Sequence, residues 1–247
     1  MKTSSLVLAI LAVLALPPIV RWFGLRLQRL VFVLSGSEDA ALYVYHFVLL
    51  PGTVLHELAH WFAAKLLGVR TGKLSLMPVR QGKVARFGAV QIGLSDPIRG
   101  SLIGAAPLLA GVLVVLGIAR WRFGVHAAVP ATWADFGNLW HALGAAPDAA
   151  LWLYLILSVA NSMLPSDSDR RSWRWVGFGL LVAIIALQLM GYLDNAFASI
   201  LPWIGRTASA IGFVALVTVI CDLALGLLLF GIEMVIGALW GRWADVA

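Results

Sequence analysis

The chain has 247 residues, of which 61% are hydrophobic and only 12% are charged. Soluble domains are typically about 25% charged, so this composition excludes an ordinary soluble protein and predicts a polytopic membrane protein. The net charge of +6 is explained better by basic cytoplasmic loops than by nucleic-acid binding, and we expect no nucleic-acid partner. The single cysteine, Cys221, excludes an intrachain disulfide.

Apolar runs of about 20 residues predict membrane helices, and the chain is expected to form one domain over residues 1–247. The first span is expected to end near Trp22, followed by an interfacial helix over Leu25–Leu34 that carries two arginines. Pro51-Gly52 is expected to kink the second span. The six predicted spans cover residues 5–23, 41–67, 98–118, 149–164, 175–192 and 208–240.

The segment between the second and third spans differs from its surroundings. It is rich in Lys and Arg, and the stretches Lys73–Met77 and Val84–Ile92 alternate apolar and polar residues around Gln81-Gly82. This pattern predicts a small β-hairpin or sheet at the membrane surface. The predicted fold class is therefore an all-α polytopic membrane protein with a small β-element after the second span.

The distribution of Lys and Arg predicts the orientation of the chain. Six alternating spans place both termini on one side, together with the loops after the second and fourth spans, and this side holds most of the basic residues. Because Lys and Arg gather in cytoplasmic loops, both termini are expected in the cytoplasm, at a prokaryotic plasma membrane. The segments His56–His60 and Asn161–Asp169 then approach the same cytoplasmic face.

The second span contains His56-Glu57-Leu58-Ala59-His60, two histidines four residues apart with a glutamate beside the first. On a helix, residues four apart lie on the same face, so the two imidazoles can hold one zinc ion. Glu57 can then accept a proton from a zinc-activated water. No charged residue occurs from Ala40 to Leu55. Polar groups are costly in such an apolar run, and their clustering indicates function rather than a chance match.

A catalytic zinc normally has three protein ligands and an open position for water. His56 and His60 supply two, and the third must be an acidic residue, histidine or cysteine at a similar depth. Asp169 could instead be a solvated loop acid that pairs with a neighbouring arginine, and Asp222 could be a hydrogen-bond partner within the membrane. The candidates for the third ligand are Asp169, Asp167, Asp222 and Glu233.

The histidine–glutamate motif, followed on a later helix by Asn161 and Asp169, resembles the site-2 protease family of intramembrane zinc metalloproteases. In that family the later segment reads roughly Asn-x-x-Pro-x-x-x-x-Asp-Gly, and Asn161 and Asp169 keep its spacing of eight. Pro165 falls one residue late, and Arg170 stands where the family has glycine. The β-element after the motif and the stretch Gly104–Pro107 are also similar to the family.

The resemblance covers residues 45–171 and implies a site. Asp169 would be the third zinc ligand, with Asp167 and Asp222 as alternatives because of the departures from the family pattern. Asn161 would bind the substrate backbone or support the site, although it could also simply cap or bridge helices.

The expected function is that of a zinc metalloendopeptidase with one Zn²⁺. Its substrate would be a single-pass membrane protein, cleaved within or at the edge of the lipid bilayer with Glu57 as general base. The alternative is a non-proteolytic membrane zinc-binding protein with a metal-handling or structural role. Glu57 favours the enzyme, because zinc storage requires no general base.

Overall fold

The computed structural model describes residues 3–75, 79–81, 84–86, 88–124, 141–142, 144–191 and 193–240. Its described part is mainly helical, with four short strands between the third and fourth helices. The helices are α1 (Thr3–Ser35), α2 (Glu38–Val48), α3 (Leu50–Leu66), α4 (Pro97–Phe123), α5 (Ala149–Ser162), α6 (Asp167–Arg170), α7 (Trp173–Leu189) and α8 (Leu193–Trp240). The strands are β1 (Thr71–Ser75), β2 (Val79–Gln81), β3 (Val84–Arg86) and β4 (Ala89–Ile92).

The first helix is longer than the sequence predicts. α1 continues through Pro17 and Pro18 and through the segment expected to form a separate interfacial helix. Arg26 explains the difference, because its guanidinium donates to the Glu233 carboxylate of α8 at 2.9 Å. A paired arginine can remain in a helix packed against another helix, so the prediction of a break after Trp22 was wrong.

The predicted second span is divided into two helices just before the Pro51-Gly52 pair, where a kink was expected. α2 begins at Glu38 after the N-cap Ser37, whose hydroxyl accepts from the backbone N–H of Ala40. The division lies at Leu49, and Pro51 occupies the first turn of α3. A proline is well placed there, because the N–H it lacks would have no partner within the helix.

α1 and α8 form the longest packed pair, and they run parallel. The ring of Trp22 packs against Gly226, and further along both helices Arg26 pairs with Glu233. In a chain of six alternating spans, the first and last helices would run antiparallel. If both helices cross the bilayer, the start of α1 and the end of α8 lie on opposite membrane faces. This packing therefore disagrees with six alternating spans and with both termini on one side.

Four described segments are long and apolar enough to cross a bilayer. They are Leu6–Ser35, Pro97–Phe123, Asp167–Leu189 and Leu201–Leu239. α5 has 14 residues and a length of about 21 Å, less than the roughly 30 Å hydrocarbon core of a bilayer. α8 begins at Leu193, well before the predicted start of the sixth span. The chain therefore has the helices of a membrane protein, with four candidate spans where six were expected.

The β-element lies where the sequence predicts it, between α3 and α4. β1 pairs antiparallel with β4, with Leu74 opposite Val90. β2 and β3 form a second antiparallel pair between them. Gly82 of the predicted turn lies outside the described residues.

The main apolar core is shared by α1, α4, α5 and α8. Val115 of α4, Ala160 of α5 and Val214 of α8 are completely buried in it. At the end of this bundle, Arg122 of α4 pairs with Asp148, which also accepts from the indole N–H of Trp152 at 2.8 Å. These donors hold the pKa of the Asp148 carboxyl below its ordinary value. The core and this pairing fix α4 against α5, the two helices that complete the site described next.

Candidate metal centre

Three predicted ligands from two distant parts of the chain meet at one point. The Nε2 atoms of His56 and His60, both on α3, are 3.1 Å apart. The Asp169 carboxylate on α6 lies 3.2 Å from His60 Nε2 and 3.9 Å from His56 Nε2. All three side chains are mostly buried. The structure thus brings together the three residues singled out in the sequence.

The backbone orients both imidazoles. His56 Nδ1 donates to the carbonyl of Ser162 on α5 at 2.6 Å, and His60 Nδ1 donates to the carbonyl of Ile103 on α4 at 2.9 Å. A carbonyl oxygen can only accept, so each Nδ1 carries a proton and each ring directs its Nε2 toward the other. Metal-binding histidines are typically held in this way.

This donor set fits a metal ion. Two Nε2 atoms at 3.1 Å need either a proton between them or a cation that both can bind. Tetrahedral zinc with ordinary Zn–N bonds separates its nitrogen ligands by about 3.3 Å. Two imidazoles and one carboxylate are the ligand types that zinc uses in catalytic sites. His56, His60 and Asp169 form a group that could hold such an ion.

A short capping turn presents Asp169 to the histidines. The backbone N–H and the hydroxyl of Ser166 donate to Asp169 Oδ2 at 2.7 and 2.6 Å, and the Asp169 N–H donates back to the same hydroxyl. Oδ1 is thereby directed toward His60. This reciprocal cap holds the carboxylate even though Pro165 and Arg170 depart from the family pattern.

The alternative ligands lie elsewhere. The side chain of Asp167 is fully exposed and pairs with Arg170 at 2.6 Å. Asp222 of α8 is completely buried and accepts from the Asn161 side chain at 2.9 Å. Glu233 pairs with Arg26. The Asn161 amide is thus directed at Asp222 and at the carbonyl of Leu157.

Glu57 lies on α3 beside the two histidines and is 8% exposed. The chain covers it closely: a Cβ atom at Gly88 would come within 2.8 Å of Glu57 Cγ and Oε1. The backbone amide of Val90 in β4 lies within hydrogen-bonding reach of its carboxylate. A carboxylate in this position can exchange a proton with a reactant held at the histidines.

Two glycines allow the helices to approach closely enough to assemble the centre. The N–H of Gly52 in α3 donates to the Ser158 hydroxyl of α5 at 2.9 Å, and a Cβ atom there would lie 2.0 Å from the Ser158 carbonyl oxygen. At Gly104 of α4, a Cβ atom would lie 2.2 Å from the carbonyl oxygen of Asp169. Small residues of this kind permit close helix packing in membranes.

Gly104→Ala is expected to lower the free energy of unfolding by about 1–3 kcal/mol, the usual cost of overpacking, and to weaken Zn²⁺ binding by displacing Asp169. Gly117→Ala in the same helix is the matched control, because a Cβ atom there meets nothing within 4 Å. Thermal unfolding and Zn²⁺ titration of both variants in detergent check this. Equal behaviour of the two would contradict the close packing at Gly104.

Several groups that shape the site were not found in the sequence. The carbonyls of Ser162 and Ile103 carry no side-chain signal, and Gly88 lies in a basic segment without a recognisable motif. Ser166 did leave a signal, because a serine followed three residues later by an acidic residue is typical of a capped turn.

Comparison with known proteins adds one finding. Part of the chain is similar to a zinc metalloprotease of Methanocaldococcus jannaschii, with 28% identity over 126 residues that cover 44% of this chain and 37% of the relative. The chain thus matches less than two thirds of that protein's length. No protein-family model matches the chain. No solved structure matches it either.

Proposed function

We propose that the protein is an intramembrane zinc metalloprotease of the site-2 protease type. It hydrolyses peptide bonds of membrane-embedded or membrane-proximal protein substrates. The observation that carries this proposal is the convergence of His56, His60 and Asp169 beside Glu57 in a chain with four helices able to cross a membrane. The similarity to a zinc metalloprotease supports it.

The residues of the centre divide the work of hydrolysis. His56, His60 and Asp169 would hold the metal. When bound, Zn²⁺ supplies a Lewis acid that makes water acidic and polarises a carbonyl. Glu57 accepts the proton of the attacking water on its carboxylate and returns it to the leaving amine. The cover formed by Gly88 and Val90 limits the access of bulk water to that carboxylate.

The surroundings of Glu57 support a substrate that binds in an extended conformation. β4 pairs with β1 along one edge and with no other described strand. Val90 of β4 lies beside the Glu57 carboxylate. An extended substrate segment could add to the open edge of β4 as a further strand and pass the catalytic carboxylate. A single-pass membrane protein that unwinds locally would provide such a segment within the lipid bilayer.

Metal removal tests the proposal. Comparative proteomics of cells that carry the inactive Glu57→Gln variant should reveal a membrane protein that accumulates uncleaved. Purified enzyme and this substrate are then reconstituted into liposomes. A zinc chelator is expected to stop cleavage, and Zn²⁺ but not Mg²⁺ to restore it, because the ligand set of two imidazoles and one carboxylate suits zinc. Cleavage that persists after the metal has been removed would contradict the proposal.

A further inference from the structure

The buried carboxylate of Asp222 forms a link between α8 and α5. Asp222 is 0% exposed, and its Oδ1 accepts from Asn161 Nδ2 at 2.9 Å. Asn161 Nδ2 also donates to the carbonyl of Leu157 at 2.9 Å. Both neighbours of this nitrogen are acceptors, so the amide can face them only with its NH₂ group. The hydrogen bond therefore fixes the rotation of the Asn161 side chain.

This link ends one residue from the metal centre. The residue after Asn161 is Ser162, whose carbonyl accepts from His56 Nδ1 at 2.6 Å. The position of the Ser162 carbonyl sets the orientation of the His56 ring and keeps its proton on Nδ1. Ser162 is the last residue of α5, where the carbonyls lack partners within the helix. Its position therefore depends on contacts that hold the end of α5.

Within the described residues, Asn161 is the only hydrogen-bond partner of the Asp222 carboxylate, since Oδ2 has none. A carboxylate buried with a single donor is costly in free energy, and loss of that donor would be costlier still. The C-terminal part of α8 is attached to α1 by a different contact, the ion pair between Glu233 and Arg26. The Asp222–Asn161 bond is thus a local constraint on the end of α5.

We propose that Asp222 is a positioning residue of the metal centre. It holds Asn161, and through Asn161 the carbonyl of Ser162, so that His56 presents Nε2 to the metal. The proposal rests on the metal site of the proposed function but not on peptide cleavage. It assigns Asp222 and Asn161 a role outside the ligand set and outside substrate binding.

The test is the affinity for Zn²⁺ of the full chain in detergent, measured by competition with a chelator. Asp222→Leu removes the acceptor and is expected to weaken Zn²⁺ binding by about 10–100-fold, the usual effect of losing a group that orients a ligand. Asp222→Asn keeps an acceptor oxygen for Asn161 and is expected to bind within about 3-fold of the wild type. Co²⁺-loaded Asp222→Leu is also expected to show a changed visible spectrum, because the orientation of one imidazole differs.

Thr218→Val is the matched control. Thr218 is also completely buried on α8, one turn before Asp222, but its hydroxyl donates only within its own helix, to the Val214 carbonyl. It is expected to leave both the Zn²⁺ affinity and the Co²⁺ spectrum unchanged. The proposal is overturned if Asp222→Leu binds Zn²⁺ like the wild type, if Asp222→Asn is as weak as Asp222→Leu, or if Thr218→Val weakens binding equally.

A second variant covers the case in which Asp222→Leu does not fold. Asn161→Leu combined with Asp222→Asn removes the same hydrogen bond without leaving a buried unpaired carboxylate. Its Zn²⁺ affinity is expected to fall by a similar factor, and wild-type affinity would overturn the proposal. A wild-type chain that bound no Zn²⁺ would instead contradict the proposed function, so the two failures are distinct.

Discussion

Glu57→Gln is expected to slow peptide-bond hydrolysis by about 10²- to 10⁴-fold, the usual contribution of a general base, while the affinity for Zn²⁺ stays at the wild-type value. The amide of glutamine has nearly the same shape as the carboxylate but cannot accept the proton of the attacking water. Glu57 lies outside the group of three ligands, so its replacement leaves the metal site intact. Initial rates with the reconstituted substrate and Zn²⁺ titration check the two halves of this result.

Glu57→Asp is the control for this prediction. It keeps the carboxylate but withdraws it by one methylene, and because small misplacements of catalytic groups are costly, its rate should lie between those of the wild type and Glu57→Gln. A Glu57→Gln variant that hydrolyses the substrate at the wild-type rate would show that the base lies elsewhere. A wild-type chain that binds Zn²⁺ but cleaves no membrane protein would favour the alternative of a non-proteolytic zinc-binding protein.

The sequence predicted the elements around the site well, because their signals are local. The apolar run of α4, the alternating residues of the β-element and the motif on α3 each lie within one short segment. The continuity of α1 depends instead on a partner for Arg26 that lies 207 residues away in sequence. The parallel packing of α1 and α8 depends in the same way on the contacts of Trp22 with Gly226. Such pairings leave no local pattern, so the number and direction of the helices were predicted less well.

The same contrast between local signals and contacts with other parts of the structure applies to the residues of the site. The spacing of His56 and His60 was sufficient to predict a shared face, and the resemblance to a family directed attention to Asp169. Asp167 stayed an alternative because both aspartates follow the same helix two residues apart, and only the serine three residues before Asp169 distinguishes them locally. The structure separates them through Ser166, which donates to Asp169, and Arg170, which donates to Asp167.

That separation leads to a prediction about the third ligand. Asp169→Ala is expected to weaken Zn²⁺ binding by more than about 100-fold, because replacing a group that merely orients a ligand already costs about 10–100-fold. Asp167→Ala is the matched control, since Asp167 lies on the same turn with a fully exposed side chain. It is expected to bind Zn²⁺ like the wild type. Chelator competition with both purified variants measures the difference.

Asp169 also caps its own turn, so a further variant is needed to separate metal binding from the effect on the turn. Loss of the carboxylate removes its bonds to the Ser166 N–H and hydroxyl, so part of the effect could come from the backbone. Ser166→Ala removes only the hydroxyl and leaves the carboxylate; an N-cap replacement of this kind costs about 1 kcal/mol of stability. If Asp169 is a ligand, Ser166→Ala should weaken Zn²⁺ binding far less than Asp169→Ala does. Equal losses would mean that Asp169 acts only through the turn, and the third ligand would have to be sought elsewhere.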